Sequence, residues 1–432
     1  MQIAVIGTGY VGLVTGACFA EFGVDVTCVD VSEEKIARLN SGLMPIYEPG
    51  LEQLVSKNVQ AGRLRFTTDI KPAVEQALVI FLAVGTPPKP DGSPDLGFVE
   101  AAARSIAEHM NGYKVIVTKS TVPIGTGEHL RKLISQGQKK RVNFGIVSNP
   151  EFLREGAAIN DFMRPDRVVI GTADEEAAAI MKDLYRPLYL IEAPFVITSL
   201  EAAELTKYAA NAFLAMKISF INEIANLCDK IGCDVHDVAR AMGMDRRIGG
   251  KFLHPGPGFG GSCFPKDTQA LASVARNFEC DSLIVDAVME VNRRQRQGMV
   301  PKIEKLVGEL NDKKIAVLGL AFKPETDDMR EAPSLEIIRS LLEQGVKVHA
   351  YDPVAMSEAA KLLPEVEYAE DEYAAVKDAD ALVFITEWNQ FRALDMSRIR
   401  DLMKHPRIAD LRNIYDPADM RELGFEYIGV GR

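Results

Sequence analysis

Residues 254–271 read HPGPGFGGSCFPKDTQAL: four glycines (Gly256, Gly258, Gly260 and Gly261) leading up to a cysteine, Cys263. Such a loop can bring backbone close to a ligand. Pro265 suits the first turn of a helix, so Cys263 is predicted at a helix N-terminus, with Lys266 beside it. The helix dipole and a nearby cation both favour the thiolate, which makes this the setting of a nucleophile. The competing reading is a buried structural cysteine in a glycine-rich turn. The other five cysteines, Cys18, Cys28, Cys228, Cys233 and Cys280, read as small buried hydrophobes. No CxxC pair occurs, and six cysteines in a chain this long suggest reduced thiols in a cytosolic protein.

A second chemical motif stands at the start. Gly7-x-Gly9-x-x-Gly12 follows a strand pattern and opens a helix pattern, and Asp30 ends the next strand. Gly7 permits the tight turn, Gly9 lets a pyrophosphate approach, and Gly12 lets helix and strand pack closely. The helix N-terminus offers N–H donors and positive potential to phosphates. Asp30 would accept from a ribose 2′-OH and repel a 2′-phosphate, which favours NAD over NADP. Lys35 complicates that preference, because it could touch a phosphate. FAD is the alternative dinucleotide, with nothing further in its favour.

A nucleophilic thiol beside a dinucleotide site suggests a definite chemistry. The thiol adds to an aldehyde, hydride loss gives a thioester, and water releases an acid. That sequence needs an oxyanion stabiliser and a group that places water. Lys207 and Asn211 are four apart in a helical pattern, so they share a face. Asp267, four after Cys263, is either the water-handling carboxylate or a helix cap.

The elements that must position these groups form an α/β pattern. Apolar runs recur at 3–7, 24–30, 77–84, 114–118 and 143–147, with VVIG following Arg167. Helical or polar segments separate them, which predicts βαβ units and a parallel sheet. Ligands bind beyond the carboxyl ends of such strands. Loops carrying Thr86, Thr121, and Glu151 with Glu155 lie there. From Thr198 to Gly232 the pattern is helical, with Thr198 and Glu201 as a capping box, predicting a helix of about 30 residues. A second α/β pattern starts near Lys313, with runs at 347–353, 379–388 and 407–413. It has Gly319-Leu320-Ala321 in place of GxGxxG, so a second dinucleotide is not expected. Lys323, Arg330 and Arg412 are its candidate phosphate contacts.

The expected fold is therefore α/β: two Rossmann-like α/β domains joined by a helical middle domain with a long central helix. The expected boundaries are 1–197, 198–300 and 301–432. Composition agrees: of 432 residues, 47% are apolar and 26% charged, as in globular proteins. The net charge of −11 argues against nucleic acid or an anionic membrane as the main partner. No membrane span or signal peptide is read, and a cytoplasmic location is expected.

GTGYVGL, NPEFLREG, KYAANAFLA, RIGGKFLHPGPGFGGSCFPKD and GLAFKPETDDMRE together resemble the UDP-glucose/GDP-mannose dehydrogenase family over essentially the whole chain. The resemblance implies oxidation of a sugar C6 alcohol to a carboxylate by two NAD, through an enzyme-bound thioester. It implies Cys263 as nucleophile, Lys207 with Asn211 at the oxyanion, and Thr121, Glu151 and Asp267 handling water. It places NAD, the one cofactor, against Gly7, Gly9, Val11, Gly12, Asp30, Lys35, Thr86, Thr121, Glu155, Lys266 and Arg330, and no metal is expected. It places the nucleotide sugar against Glu151, Phe152, Leu153, Arg154, Glu155, Lys207, Asn211, Phe252, Leu253, His254, Pro255, Gly256, Gly260, Lys323 and Arg412. His254 has no individual role. Arg247 is implied to reach the partner subunit's site in a homodimer formed through the middle domain.

Within the family, FGGSCFPKD resembles the members that act on UDP-glucose, and Ser262 stands where relatives acting on UDP-N-acetyl sugars have His. GDP-mannose is the alternative sugar. Two other readings compete: a β-hydroxyacid-type dehydrogenase with one hydride transfer, and a non-catalytic NAD sensor. The first leaves the thiol and the second α/β pattern unexplained.

Overall fold

The computed structural model describes residues 1–432, which form two compact units, Met1–Ala210 and Asn211–Arg432. The division falls inside one continuous helix, Leu200–Ile231.

The first unit is built on eight strands. They are β1 (Gln2–Ile6), β2 (Asp25–Val29), β3 (Leu64–Thr67), β4 (Val79–Leu82), β5 (Lys114–Thr118), β6 (Phe144–Ser148), β7 (Val168–Gly171) and β8 (Phe195–Thr198). Their order across the sheet is β3-β2-β1-β4-β5-β6-β7-β8. The first six are parallel, and the central strands β1, β4 and β5 are near-continuous apolar because helices cover both faces. Strand β4, VIFL, is buried at all four positions. The parallel expectation fails at one edge: β7 meets β6 antiparallel through Ser148 and Gly171, and β8 then pairs parallel with β7.

The second unit holds β9 (Lys314–Leu318), β10 (Lys347–Tyr351), β11 (Glu367–Tyr368), β12 (Ala381–Phe384), β13 (Arg407–Asp410) and β14 (Glu426–Ile428). The order β11-β10-β9-β12-β13-β14 is parallel throughout. It repeats the order of the six strands from β3 to β6 in the first sheet, the doubly wound order of dinucleotide-binding folds. The expected class, two Rossmann-like α/β parts with a long helix between, is what the chain adopts.

Two local expectations need correction. The long helix is capped by Ser199, whose Oγ accepts from Ala202 N at 3.2 Å, while Thr198 ends β8. Thr198 therefore belongs to a ladder and cannot serve as the cap, and Glu201 falls one position short of a capping box. Cys18, Cys28 and Cys228 are buried as expected, but Cys233 and Cys280 are exposed, because both lie in connections just past helix ends. No helix is long and apolar enough to cross a membrane.

Candidate active site

In the first unit the glycine motif sits at the carboxyl end of β1, where Gly9 caps the helix Tyr10–Glu21. Gly7 has φ +101°, and a Cβ there would lie 2.6 Å from the Ala83 carbonyl oxygen. A Cβ on Gly12 would lie 2.0 Å from the Gly7 oxygen, so helix and turn touch backbone to backbone. A Cβ on Gly9 would meet nothing within 4 Å. The turn is thus closed on two sides and open on the third, at uncapped helix N–H groups, which fits a dinucleotide pyrophosphate. Val11 is half-buried in the first turn of this helix.

Asp30 follows β2 and faces that turn. Its Oδ2 accepts from Thr8 N and Thr8 Oγ1, both at 2.8 Å, and its Oδ1 accepts from Ser32 N at 3.0 Å. Burial would raise its pKa, but the hydrogen bonds from Ser32 and Thr8 win and hold it below the usual carboxylate range. The nearby Lys35 ammonium adds to the lowering, and Lys35 itself is exposed. Asp30 is an anion at neutral pH, as a ribose acceptor must be.

The three predicted loops meet in this unit. Thr86 Oγ1 donates to the Thr121 carbonyl at 2.9 Å, tying the loop after β4 to the loop after β5. Glu151, after β6, is buried; its Oε1 is 3.0 Å from Lys207 Nζ, and its Oε2 accepts from Leu153 N. Lys207 Nζ also lies 5.5 Å from the centre of the Phe152 ring, whose face carries the Arg167 guanidinium at 3.5 Å. Arg154 turns outward to Asp161 at 2.6 Å. Glu155 is half-buried, and its charge acts on Tyr10 in the first turn of the glycine helix. Glu48, unremarked in the sequence, secures this corner: it accepts from Tyr10 Oη, from Gly156 N at 2.6 Å and from Ala158 N at 2.8 Å.

In the second unit Cys263 is the N-cap of the helix Phe264–Asn277, with Pro265 in its first turn. Ser262 Oγ lies 3.6 Å from the half-buried Cys263 Sγ. One turn on, Asp267 is 1% exposed. Its Oδ2 accepts from Asn211 Nδ2 at 2.6 Å and its Oδ1 from Lys266 Nζ at 2.5 Å. Asp267 N closes the first helical turn onto the Cys263 carbonyl at 2.8 Å. Cation, carboxylate and amide therefore form one connected group, one helical turn from the thiol-bearing residue.

The glycine loop before Cys263 is held by three amide side chains that its sequence does not announce. Gly256 N donates to Asn222 Oδ1 at 2.9 Å, and Gln295 Nε2 donates to the Gly256 carbonyl at 2.8 Å. Asn292 bonds both N and O of Phe259, at 2.8 and 3.1 Å. The loop packs on the carboxyl ends of the second sheet. A Cβ on Gly260 would lie 2.2 Å from the Glu331 carbonyl, and one on Gly256 3.1 Å from an Arg412 nitrogen. Arg412, after β13, pairs with Glu387 at 3.0 Å and donates to the Ile385 carbonyl at 2.8 Å. Lys323 Nζ lies 5.4 Å from the Phe322 ring centre, on the loop after β9.

Phe252 has φ +65°, a strained conformation for a bulky residue. It packs edge-on to Phe264 at 6.1 Å, next to Cys263. Leu253, Pro255 and Gly256 are buried, whereas His254 is exposed. Arg330 touches the glycine loop through its backbone, its carbonyl accepting from Gly261 N at 2.9 Å. The side chains of two predicted arginines have acidic partners close in sequence. Arg247 is exposed and pairs with Asp245 at 2.6 Å, and Arg330 pairs with Asp328 at 2.7 Å.

Comparison with known proteins agrees with this architecture. Residues 1–189 match the NAD binding domain of the UDP-glucose/GDP-mannose dehydrogenase family, 201–294 its central domain, and 316–417 its UDP binding domain. The chain is 52% identical to a UDP-glucose 6-dehydrogenase of Rhizobium meliloti (strain 1021), covering 100% of both chains. It is 51% identical to one from Bacillus subtilis (strain 168), over 100% of this chain and 93% of the other. A UDP-glucose dehydrogenase structure from the hyperthermophilic archaeon Pyrobaculum islandicum superposes with a TM-score of 0.92 at 40% identity, covering 100% of this chain and 97% of that one. With its open glycine turn, acidic β2 terminus and cysteine at a helix N-terminus, the chain belongs to the UDP-glucose/GDP-mannose dehydrogenase family of NAD-dependent oxidoreductases.

Proposed function

We propose that this enzyme oxidises the C6 alcohol of UDP-glucose to the carboxylate, yielding UDP-glucuronate, with a thiohemiacetal and then a thioester on Cys263. The observation that carries the proposal is the position of Cys263 as N-cap, joined through one helical turn to Lys266, Asp267 and Asn211. Bound NAD supplies the hydride acceptor, once at the alcohol and once at the thiohemiacetal, so two NADH leave per sugar.

The chain's own residues do the rest. The Cys263 thiolate adds to the C6 carbonyl, forming the S–C bond, and the carbonyl oxygen takes up the electron pair. The Lys207 ammonium stabilises that oxygen, with the Asn211 amide as its partner donor. After the second oxidation Thr121, Glu151 and Asp267 orient and deprotonate water. Water attacks the thioester, the C–S bond breaks, and the thiolate is restored as the carboxylate leaves with its proton released.

NAD lies against the glycine turn, Val11, Asp30, Lys35, Thr86, Thr121, Glu155, Lys266 and Arg330. The UDP-sugar lies against Glu151 through Glu155, Phe252 through Gly256, Gly260, Lys323 and Arg412. The functional unit is a cytoplasmic homodimer in which Arg247 reaches the partner's site. Support for a dimer comes from the long helix, where Phe213, Phe220, Leu227 and Ile231 are exposed at about helical-repeat spacing. Functionally the chain divides at 1–197, 198–300 and 301–432 into NAD-binding, dimerising and UDP-sugar-binding parts.

Changing Cys263→Ala is expected to end net turnover while leaving NAD affinity intact. Glu151→Gln and Asp267→Asn are expected to accumulate an acyl adduct on Cys263, read by intact-protein mass. An unmodified thiol and an unchanged hydrolysis rate in both would remove their water role.

A further inference from the structure

Arg296 stands in the last turn of the helix Leu283–Gln297, and its side chain is 11% exposed. One guanidinium nitrogen, Nη2, donates to the Phe259 carbonyl at 2.6 Å and to the Glu331 carbonyl at 2.8 Å. Phe259 lies on the glycine loop before Cys263, and Glu331 ends the loop that follows β9. The carboxylates of Glu331 and Glu336 stay further off, at 3.6 and 3.8 Å from Nη1, and Nε is buried with no hydrogen-bond partner. Taking a guanidinium out of water is costly, yet its close bonds here go to two neutral carbonyls rather than to the acids beside it. A cation so placed joins two loops more than it pairs a charge.

Both loops are shaped for this junction. A Cβ on Gly258 would lie 3.1 Å from Arg296 Cγ, and one on Gly260 would lie 2.2 Å from the same Glu331 oxygen that Arg296 holds. Gly261 N donates to the Arg330 carbonyl at 2.9 Å, so backbone meets backbone at the next residue. Glu331 has φ +51°, a left-handed conformation uncommon for a residue with a Cβ, which its surroundings must hold. The Phe259 ring packs edge-on to Phe264 at 5.9 Å, and Phe264 directly follows Cys263. Direct contacts thus run from Arg296 through Phe259 to the residue beside the thiol. Asn292, on the same helix as Arg296, bonds both N and O of Phe259 and so fixes the glycine loop to that helix by itself. What Arg296 adds is the tie to the second loop.

We propose that Arg296 is a positioning residue for Cys263: it latches the glycine loop to the loop carrying Lys323 and Arg330, so that the thiol moves as one body with the residues that grip the nucleotides. This deepens the reaction proposed above and rests on it, since Cys263 there captures the aldehyde. Without the latch the thiol loop keeps its fold on Asn292 but loses its fixed place against the bound sugar. Capture of the aldehyde then slows, and the aldehyde has time to escape.

The test counts NADH per limiting UDP-glucose with excess NAD and rising semicarbazide, which traps free aldehyde. The wild-type enzyme is expected to hold at two NADH per sugar. Arg296→Met should capture aldehyde about tenfold or more slowly, so its count should fall from two toward one as the trap rises. Arg296→Lys, which keeps the cation but not the planar fork, should fall less, and it carries the test if Arg296→Met does not fold. Glu336→Gln, which removes a carboxylate near Arg296 and leaves both carbonyl bonds, should stay at two. A stability defect alone would reduce the amount of working enzyme and leave the count at two. Two NADH per sugar in the folded Arg296 variants at every trap concentration, or a fall in Glu336→Gln as large as in Arg296→Met, would overturn the proposal. A wild-type enzyme that forms one NADH or none without the trap would instead overturn the reaction.

Discussion

The two sheets begin alike and end differently. Each turns out of its first strand through a left-handed glycine, Gly7 at φ +101° after β1 and Gly319 at φ +89° after β9. In both, a Cβ would strike the segment after the neighbouring strand: Ala83 at 2.6 Å in one, Thr386 at 2.5 Å in the other. Both carry an aspartate just past the second strand, Asp30 and Asp352. Asp30 is partly exposed beside an open Gly9. Asp352 is fully buried and accepts from Leu320 N, Ala321 N, Val354 N, Ala355 N and Trp388 Nε1. Where the first sheet leaves its acidic terminus and its helix N–H groups to a ligand, the second spends its aspartate on loop amides and one indole, and the helix after its first strand begins only at Pro333. The same first crossover is thus left open to a ligand in one unit and committed to packing in the other, and the difference lies in a few residues there.

The sharpest way to break this comparison is at Gly12, since a Cβ there lies 2.0 Å from the Gly7 oxygen. Gly12→Ala is expected to lower NAD affinity about 100-fold or more by titration, because backbone on both sides cannot yield. Next in size is Asp352→Ala, which strands buried donors and should cost about 3 kcal/mol or more in denaturant unfolding, with NAD affinity per folded molecule unchanged. A loss of NAD affinity there would show that the second crossover is not purely structural. Asp30→Asn should do the reverse: about tenfold weaker NAD, with little change in stability. It should also narrow the preference for NAD over NADP. The smallest effect belongs to Lys35→Ala, expected to change NAD affinity about threefold or less, since an exposed cation is well screened.

Much of this was legible in the residues. The open glycine turn, the acidic strand end and the thiol at a helix start follow from side-chain type and short spacing, and the structure realises each locally. The elements that escaped are those with weak local signal. Strand β11 has only two residues and β14 three, and β3 alternates LRFT on a half-exposed edge. The antiparallel β6–β7 contact rests on a single residue pair, which no periodicity can announce. The supports of the site escaped for a different reason. Asn222, Asn292 and Gln295 hold a loop 33 to 39 residues away, and an amide in a helix looks the same whether it faces water or a buried carbonyl. Nothing in the residues around Lys119, next to an apolar strand, announces that this cation is buried. Chemistry at short range is written locally, whereas its supports depend on distant contacts.

The measurement that bears most directly on the account is the number of NADH formed from a limiting, known amount of UDP-glucose, followed at 340 nm with GDP-mannose in parallel. Two NADH per UDP-glucose is the expected result, and it requires the aldehyde to be captured and oxidised a second time at Cys263. One NADH per sugar would mean that the aldehyde escapes, contradicting the assigned role of the thiol, and turnover with GDP-mannose alone would contradict the sugar.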